Sequence, residues 1–255
     1  MFEERVDKSA LITGAAHRIG RAMAVALAED GWAVAVHFRR SESAAERLVE
    51  DIRAAGGRAV AVEADLSRES EMQSLVPRTV DALGRLGLLI NNASLFEMDS
   101  VTSATRESWD AHLEANLRAP FVLTQRFAAQ LPKNRAGFII NMVDQRVCNL
   151  TPHFTSYTLS KAGLWALTQT MALALAPQIR VNAIGPGPTV PSPRQSGTQF
   201  DEQCRAMPLR RGTSPEEIAN AVRFILSAPS MTGQLITLDG GQHLCWAPSN
   251  TMTEE

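Results

Sequence analysis

The chain has 255 residues, of which 45% are hydrophobic and 20% charged. A formal net charge of −2 argues against bulk electrostatic attraction to nucleic acid or to anionic membranes. The three cysteines, Cys148, Cys204 and Cys245, lie far apart, as is typical of reduced cytoplasmic thiols and not of a metal site. The N-terminus does not resemble a secretion signal, and no apolar run reaches the roughly 18 residues of a membrane span. We therefore expect a cytoplasmic protein that binds neither nucleic acid nor membrane.

Short apolar runs alternate with longer amphipathic patterns along the whole chain. The runs that predict strands are Ala10–Thr13, Ala33–Phe38, Ala59–Glu63, Leu88–Asn91, Phe138–Met142, Arg180–Ala183 and Leu235–Leu238. The patterns that predict helices are Ile19–Glu29, Ala44–Ala54, Glu71–Leu83, Trp109–Gln130, Ser156–Ala174 and Pro215–Leu226. Continuous apolar strands that alternate with helices are typical of a parallel sheet covered on both faces. We expect residues 1–255 to form one doubly wound α/β domain of the Rossmann type, with residues 186–207 as a substrate-binding loop.

The loop after the first strand has the composition of a phosphate-binding turn. It reads TGAAHRIG, and glycine at such a turn lets the backbone approach a pyrophosphate held by the N–H groups of a helix N-terminus. The spacing is not GxGxxG, so a tight turn without a ligand is the alternative. The central Arg18 favours a ligand, because a guanidinium can clamp a phosphate or reach a substrate in the same crevice. The residues assigned here to the cofactor are Gly14, His17, Arg18, Ile19 and Gly20.

The end of the second strand indicates which dinucleotide is bound. Phe38 is followed by Arg39, Arg40 and Ser41, where an acidic residue would bind the ribose 2′-hydroxyl of NAD. Arginine there suits the 2′-phosphate of NADP instead, the alternative being that both arginines only solvate a helix start. The residues expected to contact the cofactor here and further along the chain are Phe38, Arg39, Arg40, Ser41, Asp65, Leu66, Asn92, Ala93, Ser94, Pro186 and Gly187. Asp65 has two interpretations: it accepts a hydrogen bond from the adenine amino group, or it caps the following turn.

Four polar residues form a candidate catalytic set. Tyr157 is the only tyrosine in the chain, and Lys161 lies four residues later, on the same face of a predicted helix. A nearby ammonium lowers the pKa of a phenol toward neutrality, and it can also hydrogen-bond a ribose hydroxyl. By itself the pair is compatible with a buried tyrosine beside a solvated lysine. Asp144, at the end of the fifth strand, and Asn116, within the preceding helical pattern, add to the catalytic interpretation.

Taken together, these motifs resemble the short-chain dehydrogenase/reductase family from Ala10 to about His243. The residues that carry the resemblance read TGAAHRIG, NNAS, YTLSK, IRVNAIGPG and TGQLITLDGG, together with Asn116 and Asp144. The resemblance implies a seven-stranded parallel sheet, a nicotinamide nucleotide and a homotetramer. It also implies that Tyr157 exchanges the proton, that Lys161 holds the ribose and tunes the tyrosine, and that Asn116 supports a proton-relay water.

Three departures from the usual family pattern point to a subgroup. Most members have serine at the place of Asp144, glycine at the place of Arg18, and glycine at the place of Ser94. These departures occur together in pteridine reductases and in related dihydromonapterin and dihydrofolate reductases. Phe96 of this chain matches the aromatic residue that stacks on the pterin ring in those enzymes. The alternative for Phe96 is an ordinary core residue beneath a loop. The alternative for Asp144 is a loop cap in a family member that has drifted in substrate or lost activity. The substrate-binding residues implied by this resemblance are Arg18, Ser94, Phe96, Asp144 and Tyr157.

The leading hypothesis is an NADPH-dependent reductase that converts a dihydropterin or dihydrofolate to its tetrahydro form, with protons supplied through Tyr157 and Asp144. A ketone reductase with the same fold and cofactor is the first alternative. A non-catalytic NADP-binding sensor is the second. Trp246 stands where some pteridine reductases place a basic residue that reaches a neighbouring subunit's site, so the preferred pterin is left open.

Overall fold

The computed structural model describes residues 5–192 and 195–245. Seven parallel strands form one sheet in the order β3-β2-β1-β4-β5-β6-β7. The strands are β1 Ser9–Ile12, β2 Ala33–Phe38, β3 Arg58–Glu63, β4 Leu88–Asn91, β5 Gly137–Met142, β6 Ile179–Pro186 and β7 Leu235–Leu238. The fold class is therefore confirmed, and each predicted strand is found with small shifts at its ends, except that β6 extends to Pro186.

Helices cover both faces of the sheet. They are α1 Arg18–Glu29, α2 Glu42–Ala54, α3 Glu69–Leu83, α4 Arg106–Leu113, α5 Ala119–Gln130, α6 Thr155–Leu175, α7 Gly197–Ala206 and α8 Pro215–Ser227. Successive side chains of β1 point to opposite faces, so Ile12 packs in one buried cluster with Met23 and Val222. Leu11 joins the other cluster, with Leu75 from α3. The two apolar layers explain why the strands are apolar without alternation.

The long helical pattern predicted for Trp109–Gln130 is divided into three parts. Between α4 and α5 lies a π-helical segment, Glu114–Arg118. The backbone stays helical through a π turn, and the one signal of the division in the sequence is Pro120 at the start of α5. The segment carries Asn116 and is found, like many π turns, beside a candidate site.

The predicted loop 186–207 is partly wrong, because β6 reaches Pro186 and α7 occupies most of its second half. No side chain of α7 is buried, and its apolar residues are too few to define a helical period in the sequence. A local signal was present: Ser196 and Gln199 form a capping box at the helix N-terminus.

The sheet order changes direction at β1, which pairs with β2 on one side and with β4 on the other. In open parallel sheets the crevice at such a point, beyond the carboxyl ends of the strands, is where ligands bind. Among the described residues, none of the helices combines the length and apolar character that a membrane crossing requires.

Candidate active site

A cleft of about 850 Å³ opens at the carboxyl ends of the strands. It brings together all of the predicted catalytic and substrate residues except Asn116, which is buried and does not line the cleft. The predicted cofactor residues that line it are Gly14, His17, Arg18, Ile19, Gly20, Arg39, Asp65, Leu66, Asn92, Ala93, Ser94, Lys161, Pro186 and Gly187. Three predicted cofactor residues, Phe38, Arg40 and Ser41, are not among the residues that line the cleft.

The glycine loop is shaped to receive a phosphate. Gly14 has φ +62°, and a Cβ on Gly20 would lie 2.4 Å from the Gly14 carbonyl oxygen, so both positions require glycine. His17, the N-cap of α1, makes no side-chain cap hydrogen bond within the described part of the chain, and the first turn contains no acidic residue. The N–H groups and positive dipole end of α1 therefore face the cleft without a negative side chain, which fits the pyrophosphate of a dinucleotide.

Arg18 connects the glycine loop to the segment after β6. Its φ of +51° lies in the left-handed region, where glycine is the unstrained residue. The guanidinium donates a hydrogen bond from Nη2 to the carbonyl oxygen of Val190 at 2.8 Å. Arg18 thus stands between the phosphate-binding loop and the predicted substrate-binding segment.

The residues after β2 separate into two groups. Arg39 is exposed and lines the cleft, whereas Arg40 is exposed outside it. Ser41 is the N-cap of α2, and Phe38 is buried. Only Arg39 is therefore placed to meet a 2′-phosphate, because a bidentate contact requires the guanidinium to reach into the cleft.

Asp65 lines the cleft, and its carboxylate also caps a turn. Oδ1 accepts hydrogen bonds from Ser67 N at 3.0 Å and from Ser67 Oγ at 2.7 Å. Partial burial raises the pKa of Asp65, but the two Ser67 hydrogen bonds and nearby Arg39 outweigh it, so the net pKa lies below its ordinary value. The capping interpretation is therefore supported, and the adenine contact stays a prediction.

His37 is a residue of this region that the sequence analysis did not assign. Its Nδ1 accepts a hydrogen bond from the Gly14 N–H at 2.9 Å, and Nε2 lies 3.0 Å from the Ala64 carbonyl oxygen, to which it donates. Burial lowers the pKa of His37 to about 4, so the ring is neutral and its tautomer is set by these two bonds. The only signal in the sequence was one polar residue within a buried apolar strand.

Tyr157 and Asp144, two members of the candidate catalytic set, are in direct contact. Tyr157 Oη donates a hydrogen bond to Asp144 Oδ2 at 2.8 Å, and Asp144 Oδ1 accepts another from the Arg146 N–H at 2.8 Å. Lys161 is buried, donates to the Met142 carbonyl oxygen at 2.8 Å, and places Nζ 5.8 Å from the Tyr157 ring centroid. Burial lowers the pKa of Lys161 to about 8, although Asp144 opposes that shift.

The Asn116 side chain is buried and makes four hydrogen bonds. Its Nδ2 donates to the Leu95 carbonyl oxygen and to Ser160 Oγ, and its Oδ1 accepts from the Leu95 N–H and Ser94 Oγ. An amide has two donor hydrogens and two acceptor lone pairs, so this side chain has no remaining capacity for a water. The relay water implied by the family resemblance stays a prediction, and it requires the Asn116 backbone instead.

Phe96 lines the cleft next to Tyr157. Its ring is half-buried, stacks on Phe154 at a centroid distance of 4.4 Å, and meets the Tyr157 ring edge-on at 4.6 Å. Arg146, which the sequence analysis did not assign, is buried beside them, with its guanidinium carbon 4.9 Å from the Phe154 ring centroid. Phe96 and Arg146 both line the cleft, so the substrate half is walled by aromatic rings and a cation.

Comparison with known proteins identifies the family. A family profile described as enoyl-(acyl carrier protein) reductase matches residues 14–243. The 3-oxoacyl-(acyl-carrier-protein) reductase FabG of Staphylococcus epidermidis is 34% identical over 244 residues, which cover 94% of this chain and 100% of the relative. The chain belongs to the short-chain dehydrogenase/reductase family.

Two solved structures of this family are described as FolM alternative dihydrofolate reductase 1 with NADP. The structure from Brucella suis is 42% identical, has a TM-score of 0.93, and is matched over 99% of this chain and 100% of its own. The structure from Brucella canis is 43% identical, also with a TM-score of 0.93, over 98% and 99% of the two chains. The predicted resemblance to a short-chain reductase of the dihydromonapterin and dihydrofolate type is thereby confirmed.

Asp144 makes a direct hydrogen bond to Tyr157, the residue that the sequence predicts to exchange the proton. The described residues contain no cluster of three or more histidine, cysteine or acidic side chains able to hold a metal. Trp246, for which the sequence left the role open, lies outside the described residues.

Proposed function

We propose that this short-chain reductase reduces a pteridine ring, converting a dihydropterin or dihydrofolate to its tetrahydro form. The cofactor is NADP(H), and the glycine loop, the bare N-terminus of α1 and Arg39 in the cleft fit its phosphates. NADPH supplies a hydride when bound. The chain itself supplies the proton and the position of the ring.

The observation that carries the proposal is the 2.8 Å hydrogen bond from Tyr157 Oη to Asp144 Oδ2. A ketone reductase needs a neutral hydroxyl to donate to the substrate carbonyl, and a carboxylate that accepts from two N–H or O–H donors has no such proton to offer. A pterin instead takes up a proton on a ring nitrogen. A carboxyl group that exchanges a proton with the tyrosine is suited to that reaction.

In this mechanism Tyr157 Oη releases its proton to the ring nitrogen. Asp144 Oδ2 then takes up a proton from solvent in the cleft and passes it to the Tyr157 phenolate. The second oxygen of Asp144 stays bonded to the Arg146 N–H, so the carboxylate keeps its orientation during the transfer. Lys161 is buried beside the tyrosine and stabilises phenolate character in its ring. Phe96 stacks on one face of the pterin, and Arg18 meets its polar edge near the pyrophosphate.

Reduction of a ketone is the second candidate function. It is favoured by the 34% identity to the 3-oxoacyl reductase of Staphylococcus epidermidis along almost the whole chain. In that reaction the Tyr157 hydroxyl alone would donate to the carbonyl, and Asp144 would be dispensable. The two functions therefore differ in what they require of Asp144.

The deciding experiment measures NADPH oxidation with dihydrobiopterin, dihydromonapterin, dihydrofolate and a panel of ketones. We expect turnover of at least one pterin and a loss of about 100-fold or more in kcat for Asp144→Ser and Asp144→Asn, because both remove the carboxyl proton relay. Turnover of ketones alone, retained in Asp144→Ser, would replace this proposal by the carbonyl reductase. Tight NADPH binding without turnover of any substrate would favour the sensor.

We also propose that the enzyme is a cytoplasmic homotetramer. Apolar side chains of α5 and α6, Phe121, Leu159 and Leu173, are exposed in the single chain, which suits burial between subunits. Light scattering coupled to size-exclusion chromatography tests the assembly: four times the 27.7 kDa chain mass is expected, and a monomer mass rejects it.

A further inference from the structure

Three buried polar residues that have no part in the mechanism above are connected next to the catalytic tyrosine. His112 and Ser156 are fully buried and Asp99 is 5% exposed. Ser156 immediately precedes Tyr157 on α6, His112 belongs to α4, and Asp99 ends the segment that carries Phe96. Burying polar groups costs free energy unless each is hydrogen-bonded, so such a cluster specifies one arrangement of the elements it joins.

In this cluster each group donates a hydrogen bond to the next, from the Glu97 N–H through His112 and Ser156 to Asp99. The Glu97 N–H donates to His112 Nε2 at 3.0 Å, so that nitrogen carries a lone pair and the ring proton is on Nδ1. His112 Nδ1 lies 2.9 Å from the Ser108 carbonyl oxygen and 2.7 Å from Ser156 Oγ. The Ser156 hydroxyl in turn donates to Asp99 Oδ2. The chain therefore begins at the Glu97 amide and ends at a carboxylate, and it fixes the tautomer of His112.

Asp99 is a suitable end of the chain because it remains an acceptor. Burial raises the pKa of Asp99, but hydrogen bonds from the Ser156 side chain, the Ser156 N–H and Ser108 outweigh that effect and keep the pKa below its ordinary value. The Asp99 carbonyl oxygen also accepts from the Phe154 N–H at 2.7 Å. Both the side chain and the backbone of Asp99 thus attach to the start of α6.

His112 and Asn116 lie four residues apart and hold alternate residues of the Phe96 segment. Asn116 bonds to both backbone groups of Leu95, and His112 accepts from the N–H of Glu97. Phe96 is the residue between them. Its backbone is therefore fixed on both sides, while its ring contacts Phe154 and Tyr157. The position of Phe96 relative to the tyrosine hydroxyl depends on both polar anchors.

We propose that His112 is a positioning residue, oriented by Ser156 and Asp99, that sets where Phe96 lies relative to Tyr157 and thereby controls the affinity for an aromatic substrate ring. The structural part of this inference stands on the hydrogen bonds alone. The statement about substrate rests on the proposed function. His112 acts through the Glu97 amide, not by contact with the reacting atoms.

Two substitutions of similar size at position 112 distinguish the hydrogen bond made by Nε2 from that made by Nδ1. Glutamine at position 112 places an amide oxygen near the place of Nε2 and keeps an acceptor for the Glu97 N–H. Asparagine reaches only the place of Nδ1, so it keeps a donor toward Ser156 but loses the acceptor. Ser156→Ala removes the link to Asp99 with a minimal change of volume, and it serves as the second variant if His112→Asn does not fold.

The first readout needs no substrate: amide hydrogen exchange of Glu97 in the NADP-bound protein. We expect exchange to rise about tenfold in His112→Asn, to stay within about threefold of wild type in His112→Gln, and to rise to a lesser extent in Ser156→Ala. Equal exchange in His112→Asn and His112→Gln, or a Glu97 amide that exchanges freely in the wild type, overturns the inference even if pterin turnover is found.

The second readout is steady-state kinetics with dihydrobiopterin as the substrate. The measurement is then repeated with the pterin that the wild type turns over fastest. We expect KM for the pterin to rise about tenfold in His112→Asn, with kcat within about threefold, an unchanged Kd for NADPH, and rescue in His112→Gln. A matching loss of NADPH affinity would assign His112 a general structural role and reject the proposal. No pterin turnover by the wild type, with the exchange pattern as expected, rejects the proposed function but keeps the anchoring of Phe96.

Discussion

The half of the cleft formed by β1 to β3 and the half formed by β4 to β6 present different groups to their ligands. In the first, backbone N–H groups of the glycine loop face the cleft, and the charged side chains Arg18 and Arg39 are exposed at its rim. In the second, buried or half-buried side chains, among them Lys161 and Asp144, form a connected set. Backbone groups recognise any dinucleotide phosphate, whereas a side-chain network recognises one reaction. We therefore expect substitutions in the first half to change cofactor affinity and those in the second half to change turnover.

The largest effect is expected in the catalytic half, for Tyr157→Phe. Loss of the hydroxyl removes both the proton donor and the 2.8 Å hydrogen bond to Asp144, so kcat should fall by about 10³-fold or more. The Kd for NADPH, measured by fluorescence of the bound cofactor, should stay within about twofold, since the ring volume is kept. Substantial turnover in this variant would exclude Tyr157 as the proton donor.

In the cofactor half, the two adjacent arginines provide a matched pair. Arg39→Asp should reduce the preference for NADPH over NADH by about 100-fold, because it removes a charge-assisted contact to the 2′-phosphate and adds a repulsion. Arg40→Asp makes the same change of charge outside the cleft and should alter the preference by less than about threefold. The ratio of kcat/KM for the two cofactors measures both, and equal effects of the two substitutions would contradict the assignment to Arg39.

The pH dependence of kcat/KM for NADPH is expected to depend on Lys161, a residue of the catalytic half that is also expected to hold the cofactor ribose. Burial disfavours the charged ammonium and lowers its pKa to about 8, so in the free enzyme the lysine is charged below that pH and loses its proton above it. The value of kcat/KM for NADPH, which reports ionisations of the free enzyme, should therefore be level below about pH 7.5 and fall about tenfold by pH 9. In Lys161→Arg the group stays charged, so the same decline near pH 8 in that variant would attribute it to another residue.

The smallest of these effects is expected for His37→Phe. The ring is of similar size, but the Gly14 N–H loses its acceptor and the Ala64 carbonyl oxygen loses its donor. We expect the Kd values of NADPH and NADH to rise together by about fivefold, with an unchanged preference between them and an unchanged kcat at saturation. Calorimetric titration measures both constants, and a change in the preference would mean that His37 contacts the 2′-phosphate region directly.

Much of the cofactor half was predictable because its determinants are local in the chain. The glycine loop needs Gly14 for a positive φ and Gly20 for a close approach, and both requirements appear within eight residues of sequence. Tyr157 and Lys161 were equally accessible, since a four-residue spacing on a helix defines one face. What the sequence did not separate was Arg39 from Arg40, because their difference is one of direction relative to the cleft.

The substrate half was only partly predictable, since its contacts join residues that are distant in the chain. The hydrogen bond from Ser156 to Asp99 spans 57 positions, and that from Glu97 to His112 spans 15. Neither leaves a periodic pattern, so His112, Ser156 and Arg146 were missed. The helix α7 was missed for a different reason, because it buries no side chain and contains too few apolar residues to define a helical period.

By itself, the sequence determined the fold class, the order of the seven strands along the chain, the glycine loop and the placement of Tyr157 and Lys161 on one helix face. These follow from short-range rules: apolar periodicity, the backbone freedom of glycine, and spacing along a helix. Only the tertiary structure decided that the Asp144 carboxylate bonds directly to Tyr157, that one arginine of two faces the cleft, and that His112 holds the Phe96 segment. These depend on where separate elements meet in space, and burial there makes each unpaired polar group costly enough to select a single arrangement.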